Sequence, residues 1–156
     1  MGRVTAILAV AVAVAASGCG KGGAGPVALH SVHGQVIYDE KPAAKVRVYL
    51  LTTNPPTDGS PPTPHAVTSA DGSFVISTYA EGDGAPEGKY QVVLIWKDGE
   101  PGEEGSGDVD KLLGWYDPTR TTLMAEIKAG SNTLPPFKLK AITRPPGEII
   151  GIPGKN

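Results

Sequence analysis

The chain has 156 residues, with 14 basic and 16 acidic side chains and a formal charge of -2, which suits one small domain with extensions. Its 21 glycines and 15 prolines are scattered throughout, so few windows sustain a helix: each interior Gly costs about 1 kcal/mol and each Pro about 3 kcal/mol. No basic stripe is present, and nucleic acid is therefore excluded as a partner.

Arg3 precedes an unbroken apolar run from Ala6 to Ala16. That run is too short for a membrane-spanning helix, which needs about 20 residues, and residues 1–18 read as a secretory signal peptide. Ala16-Ser17-Gly18-Cys19 resembles the bacterial lipobox, departing from it at Ala16, where that family usually carries Leu. The resemblance implies that Cys19 is joined to diacylglycerol through a thioether and becomes the mature N-terminus. The alternative is an ordinary signal peptide followed by an unrelated cysteine. A lone Cys in an exported chain has no partner for an internal disulfide, which favours lipidation. The expected address is the cell envelope, with a lipid anchor in a membrane, and Gly20 by family analogy favours the outer membrane over the inner. Residues 19–29 form a flexible tether that reaches roughly 17 Å.

A first strand is expected at about Ser31 to Tyr38, with Val32, Gly34 and Val36 on one face, followed by a turn at Asp39-Glu40-Lys41-Pro42. A second strand, from about Lys45 to Thr53, points Val46, Val48 and Leu50 into a core and Lys45, Arg47 and Tyr49 outward. Residues 54–64 carry five prolines and read as a stiff surface loop. A third strand at about His65 to Ser69 leads to Ala70-Asp71-Gly72-Ser73, where Asp-Gly between alternating runs predicts a hairpin with a type I′ turn. Beyond it Phe74 and Ile76 share a face. The most apolar strand, Tyr90 to Trp96, is expected at the centre of a sheet.

Asp98 to Thr122 is too long for a simple connection, which points to a functional or locally ordered segment. Its start, DGEPGEEGSG, is acidic and Gly-rich; Asp108 to Leu113 is expected to hold one helical turn with Asp108 as N-cap, and Trp115-Tyr116-Asp117-Pro118 a turn. Two last strands, at about Leu123 to Ala129 and Thr133 to Lys140, are joined by Gly130-Ser131-Asn132. Pro135-Pro136 cannot donate ladder hydrogen bonds, so the final strand lies on an edge or begins near Phe137. The tail, residues 141–156, is rich in Pro and Gly and is expected to be extended and poorly packed. The pattern as a whole predicts an all-β protein, a seven-stranded antiparallel β-sandwich over residues 30–140.

Gly34 and Val36, then Val46 and Val48, then Thr68, Asp71, Gly72 and Phe74, and finally Glu87, Gly88 and Tyr90 follow one another in the order of a known pattern. This order resembles the carboxypeptidase regulatory-like domain, a transthyretin-like sandwich. The segment from Trp115 to Lys140 further resembles small bacterial lipoproteins that end this domain with a Tyr-x-Pro turn and a Gly-x-Asn hairpin. The resemblance implies a non-catalytic structural or binding module of the cell envelope that requires no cofactor, with an envelope protein or a glycan as partner.

The candidate sites are few. His30 and His33 are three apart on a strand and face opposite sides, so they do not share a metal, and solvated or structural roles are expected for them and for His65. Glu103, Glu104, Asp108 and Asp110 form an acidic cluster with the oxygen ligands that Ca²⁺ takes, but their spacing matches no EF-hand; no metal is assigned. Trp115 and Tyr116, joined by Trp96, supply the aromatic platform on which sugars stack; alternatively Trp115 closes one end of the core while Tyr116 braces the Asp117-Pro118 turn. No Gly-x-Ser-x-Gly elbow or phosphate-binding Gly loop occurs, and no catalytic residue is assigned.

Overall fold

The computed structural model describes residues 27–54, 60–97 and 109–147. The segment expected to be a signal peptide, Cys19, most of the expected tether, Glu103, Glu104 and Asp108, and the last residues of the tail lie outside the described residues. Those described contain no helix. They form eleven strands: β1 (Leu29–His30), β2 (Val32–Tyr38), β3 (Lys41–Pro42), β4 (Arg47–Thr52), β5 (His65–Val67), β6 (Ser73–Val75), β7 (Ala85–Pro86), β8 (Gly88–Ile95), β9 (Met124–Ile127), β10 (Asn132–Thr133) and β11 (Phe137–Leu139).

The strands make an all-β, sandwich-like fold. One sheet has the order β5-β4-β8-β9; in the other, β2 is flanked by β10 and β11 along one edge and by β3 and β6 along the other. A small ladder pairs β1 with β7. The alternation expected from sequence explains why both sheets bury one face. Val46, Val48, Leu50, Val92, Leu94, Ala125 and Ile127 from the first sheet and Val32, Val36, Phe74, Phe137 and Leu139 from the second form one cluster. The apolar strand β8 is central in its sheet, between β4 and β9.

Two features differ from the sequence expectation of a purely antiparallel sandwich with a terminal hairpin. Both β10 and β11 run parallel to β2. The turn at Gly130-Ser131-Asn132 therefore carries the chain from β9 in one sheet to β10 in the other instead of closing a hairpin. Asn132 holds this crossing: its Nδ2 donates to Lys128 O (2.9 Å), its Oδ1 accepts from Lys128 N (2.9 Å), and its backbone N donates to Ser31 O (2.8 Å). As expected from Pro135-Pro136, β11 begins at Phe137.

The type I′ turn also falls elsewhere. Asp39 and Glu40, between β2 and β3, both take positive φ (49° and 63°), which is the backbone such a two-residue hairpin requires. At Asp71-Gly72 only Gly72 is left-handed (φ 76°), Gly72 N donates to Ser69 O (2.9 Å), and Ser69 N donates to Ser73 O (2.8 Å), the pattern of a type I turn closed by a G1 bulge. A Cβ at Gly72 would stand 2.4 Å from Val36 O, the carbonyl of a strand it abuts, so glycine is required there for space as well as for φ. The bulge redirects the chain so that β5 stays with β4 while β6 joins β2.

The remaining motif positions have packing reasons. Gly34 lies opposite Phe74 across β2 and β6, and a Cβ there would be 2.3 Å from the Phe74 ring, which itself stacks on Phe137 at 6.2 Å. Thr68 is buried, donating its hydroxyl to Ala43 O (2.6 Å) and accepting from Val46 N (2.9 Å). Tyr90 donates its hydroxyl to Pro86 O (2.9 Å), and burial raises its pKa above the ordinary tyrosine value.

Candidate functional site

The site lies at the end of the sandwich where residues 109–123 return along β8. Leu94 N donates to Tyr116 O (3.1 Å) and Lys111 N to Trp96 O (2.7 Å), so this segment is tied to the end of the most buried strand. Its organiser is Asp110. Its Oδ1 accepts from Trp96 N (2.9 Å) and Leu112 N (3.1 Å), and its Oδ2 accepts from Gly114 N (3.0 Å). The result is a series of turns over residues 111–116, with Leu113 at φ 48° and Gly114 at φ 73°, where one helical turn capped by Asp108 was expected. A carboxylate that already accepts three backbone N–H groups is a loop-capping group. Asp110 therefore has a structural role in this loop, and Glu103, Glu104 and Asp108, with which the sequence groups it as a Ca²⁺ candidate, lie outside the described residues. Among the described residues no group of three or more His, Cys, Asp or Glu side chains is gathered as a metal site would be.

The loop geometry decides the fate of the aromatics. Leu112, fully buried, plugs this end of the core, the role considered for Trp115. Trp115 is 42% exposed. Tyr116 is half-buried against the core, and burial first, then the neighbouring Tyr38, raises its pKa. Trp96 does not join an exposed platform: it packs edge-on to Tyr38 at 5.2 Å, and Lys111 Nζ lies over its ring at 5.1 Å. Asp117 braces the following turn, accepting from Thr119 N (2.8 Å) and Thr119 Oγ1 (2.7 Å) and pairing with Arg120; these contacts, led by the Thr119 hydroxyl, hold its pKa below the ordinary value.

The other wall of the site comes from the start of the tail, which the sequence marks as poorly packed. Ile142 packs on the core, and its backbone N donates to the Tyr38 hydroxyl (2.8 Å); two residues on, Arg144 O accepts from Trp115 Nε1 (2.8 Å). The strap 140–144 is thereby fastened at two points, once to β2 and once to the indole. Between strap and loop lies a cleft of about 320 Å³, lined by Trp115, Tyr116, Lys140, Ala141, Ile142, Thr143 and Arg144. The sequence singles out Trp115 and Tyr116, and the structure brings both to this cleft; Lys140, Ile142 and Arg144 carry no motif that marks them.

The histidines are dispersed. His30 Nδ1 accepts from Gly130 N (3.0 Å), His33 Nε2 lies 2.8 Å from Ser31 Oγ, and His65 Nδ1 lies 3.2 Å from Thr63 O. His33 and His65 each have a partner two residues away, and His30 accepts from a turn 100 residues away in the chain.

Fold and site together define a sandwich-like all-β domain with an aromatic, basic cleft at one end. No family model matches the chain, and no curated protein matches it. Among solved structures, the crystal structure of a 9R-lipoxygenase from Cyanothece PCC8801 is similar over 78% of this chain and 18% of that one, at 14% identity and a TM-score of 0.39. The chain thus spans about a fifth of that protein's length, and a likeness at this level carries no argument about activity.

Proposed function

We propose that the chain is a non-catalytic, lipid-anchored protein of the cell envelope whose domain, of the carboxypeptidase regulatory-like and transthyretin-like kind, is a binding module. Support for the fold type comes from strand order. With β10 and β11 counted as one strand broken by Pro135-Pro136, and the two-residue β1, β3 and β7 set aside, seven strands remain in two sheets. The anchor rests on Cys19 and its preceding residues, with the outer membrane favoured by Gly20. The observation that carries the binding role is Trp115: a large aromatic, 42% exposed, whose indole N–H is fixed by a hydrogen bond to Arg144 O. A photo-crosslinking residue in place of Trp115, activated in whole cells, is expected to capture an envelope component, and the capture is expected to vanish when Cys19→Ser leaves the protein in the soluble fraction. Crosslinking that is indifferent to anchoring refutes the envelope role.

A second reading, a carbohydrate-binding protein, is favoured by the shape of the site. A cleft of about 320 Å³ beside a pinned indole lies at the small end of the range of ligand pockets, which is about 300–1,000 Å³, and suits a sugar unit better than a protein surface. Binding on a glycan array that is lost in Trp115→Ala selects this reading, and silence across the array rejects it.

A further inference from the structure

The charged side chains that line the Trp115 cleft are both cationic. Lys140 and Arg144 are both exposed, and no carboxylate lines the cleft. Among the described residues neither the Lys140 ammonium nor the Arg144 guanidinium has a hydrogen-bonded or ion-paired partner. This sets them apart from Arg120, which pairs with Asp117 on the next turn, and from Lys111, which lies over Trp96. In a chain of net charge -2, two unpaired cations beside an exposed indole make a local basic site. The backbone of Arg144, not its side chain, accepts the Trp115 N–H, so the guanidinium takes no part in fastening the strap.

We infer that this cleft binds an anionic saccharide, stacking a sugar ring on the Trp115 indole and placing a carboxylate or sulfate between Lys140 and Arg144. The inference rests on the carbohydrate reading above. The indole supplies a flat apolar surface for the C–H face of the ring. The guanidinium offers a planar fork of donors matched to carboxylate or sulfate oxygens, and the ammonium adds a second positive charge. A neutral sugar would gain the stacking and leave both cations without a counter-charge, so selectivity for the charged form follows from the lining itself.

The test is calorimetric titration of the purified full chain, held in a polyoxyethylene detergent that contains no sugar. The probes are trigalacturonic acid, its fully methyl-esterified form, and galactose 6-sulfate. Trigalacturonate, galactose 6-sulfate or both are expected to bind saturably, with the preferred one identifying carboxylate or sulfate as the anion. The neutral ester is expected to bind about tenfold more weakly than the preferred anion, and raising the salt concentration is expected to narrow that gap. Arg144→Gln and Lys140→Gln are each expected to weaken anion binding about five- to tenfold, bringing it toward that of the ester, while leaving the melting temperature unchanged. Trp115→Ala removes stacking for all three probes; Trp115→Phe, which keeps a ring but lacks the N–H, is expected to recover most of it, which separates loss of the stacking surface from loss of the strap. Equal affinity for the acid and its ester overturns the anionic inference and leaves the carbohydrate reading standing. No binding of any of the three saccharides overturns both.

Discussion

Removing the Asp110 carboxylate tests whether one side chain organises the whole end of the sandwich. In Asp110→Ala the backbone N–H groups of Trp96, Leu112 and Gly114 lose their acceptor at once. A hydrogen bond to a charged group contributes about 1.5–3 kcal/mol when buried. Asp110 is only half-buried and water can reach part of what it leaves, so the three together amount to about 2–4 kcal/mol. For a domain of about 100 residues that lowers Tm by roughly 8–20 °C. Asp110→Asn keeps one amide oxygen for Trp96 N and Leu112 N but sets an NH₂ against Gly114 N–H, so it should fall between the variant and the wild type. Circular dichroism melts of the three proteins measure this, and the Trp115 cleft should loosen in parallel, seen as a shift in Trp emission. An Asp110→Ala protein melting within 2 °C of wild type would refute the assignment of Asp110 as the organiser.

Three further outcomes follow from the packing. Gly34→Ala forces the Phe74 ring off Phe137 and should destabilise by about 1–3 kcal/mol; an unchanged urea midpoint sinks the close-approach reading. Thr68→Val keeps the shape but leaves Ala43 C=O and Val46 N–H without their partner inside the core, at about 1–3 kcal/mol for each, whereas Thr68→Ser retains the hydroxyl and most of the stability; equal losses in the two variants contradict the hydrogen-bonding role. Asp83 accepts from Thr78 N (2.7 Å), Ala80 N (2.8 Å) and Tyr79 N (2.9 Å), and these bonds, Thr78 foremost, hold its pKa below the ordinary 3.8. The unfolded chain then binds more protons than the folded one between the lowered value and 3.8, so the contribution of Asp83 is complete above that window and is lost as pH falls through it. Asp83→Asn should lower the neutral plateau of a stability profile and so flatten its acid limb, the two proteins converging at low pH, and superimposable profiles would exclude the linkage.

Strand positions were largely legible because a buried sheet face imposes a period of two on the sequence. Val46, Val48 and Leu50 and then Val92 and Leu94 occupy the core as that period requires, and the central strand β8 carries apolar residues on its second face as well, Val93 and Ile95. The direction of pairing was not legible. Nothing in Gly130-Ser131-Asn132 distinguishes a hairpin from a crossing between sheets, since both need a tight turn with one left-handed residue, and only the position of β2 decides that β10 and β11 dock parallel to it. The type I′ turn shows the same limit: Asp71-Gly72 has the favoured residues, yet the pair of left-handed residues is Asp39-Glu40, because there the register of β2 with β3 leaves two residues to close the hairpin.

At the candidate site the residue types were visible and their roles were not. Trp115 stood out as a large aromatic in a long connection, but burial is a property of the packed whole: Leu112 occupies the core's end, which leaves the indole outside. Lys140, Ile142 and Arg144 lie in a segment with neither periodicity nor motif and reach Trp115 through two hydrogen bonds, Ile142 N to the Tyr38 hydroxyl and Trp115 Nε1 to Arg144 O, that join residues 104 and 29 positions apart. Local chemistry, namely alternation, turn residues and the scarcity of windows that sustain a helix, determined from the sequence alone that the described domain is all-β and which strand side chains face its core. Which sheet each strand joins, and which charged and aromatic groups meet at its open end, depend on contacts between distant residues, and those exist only once the two sheets have packed.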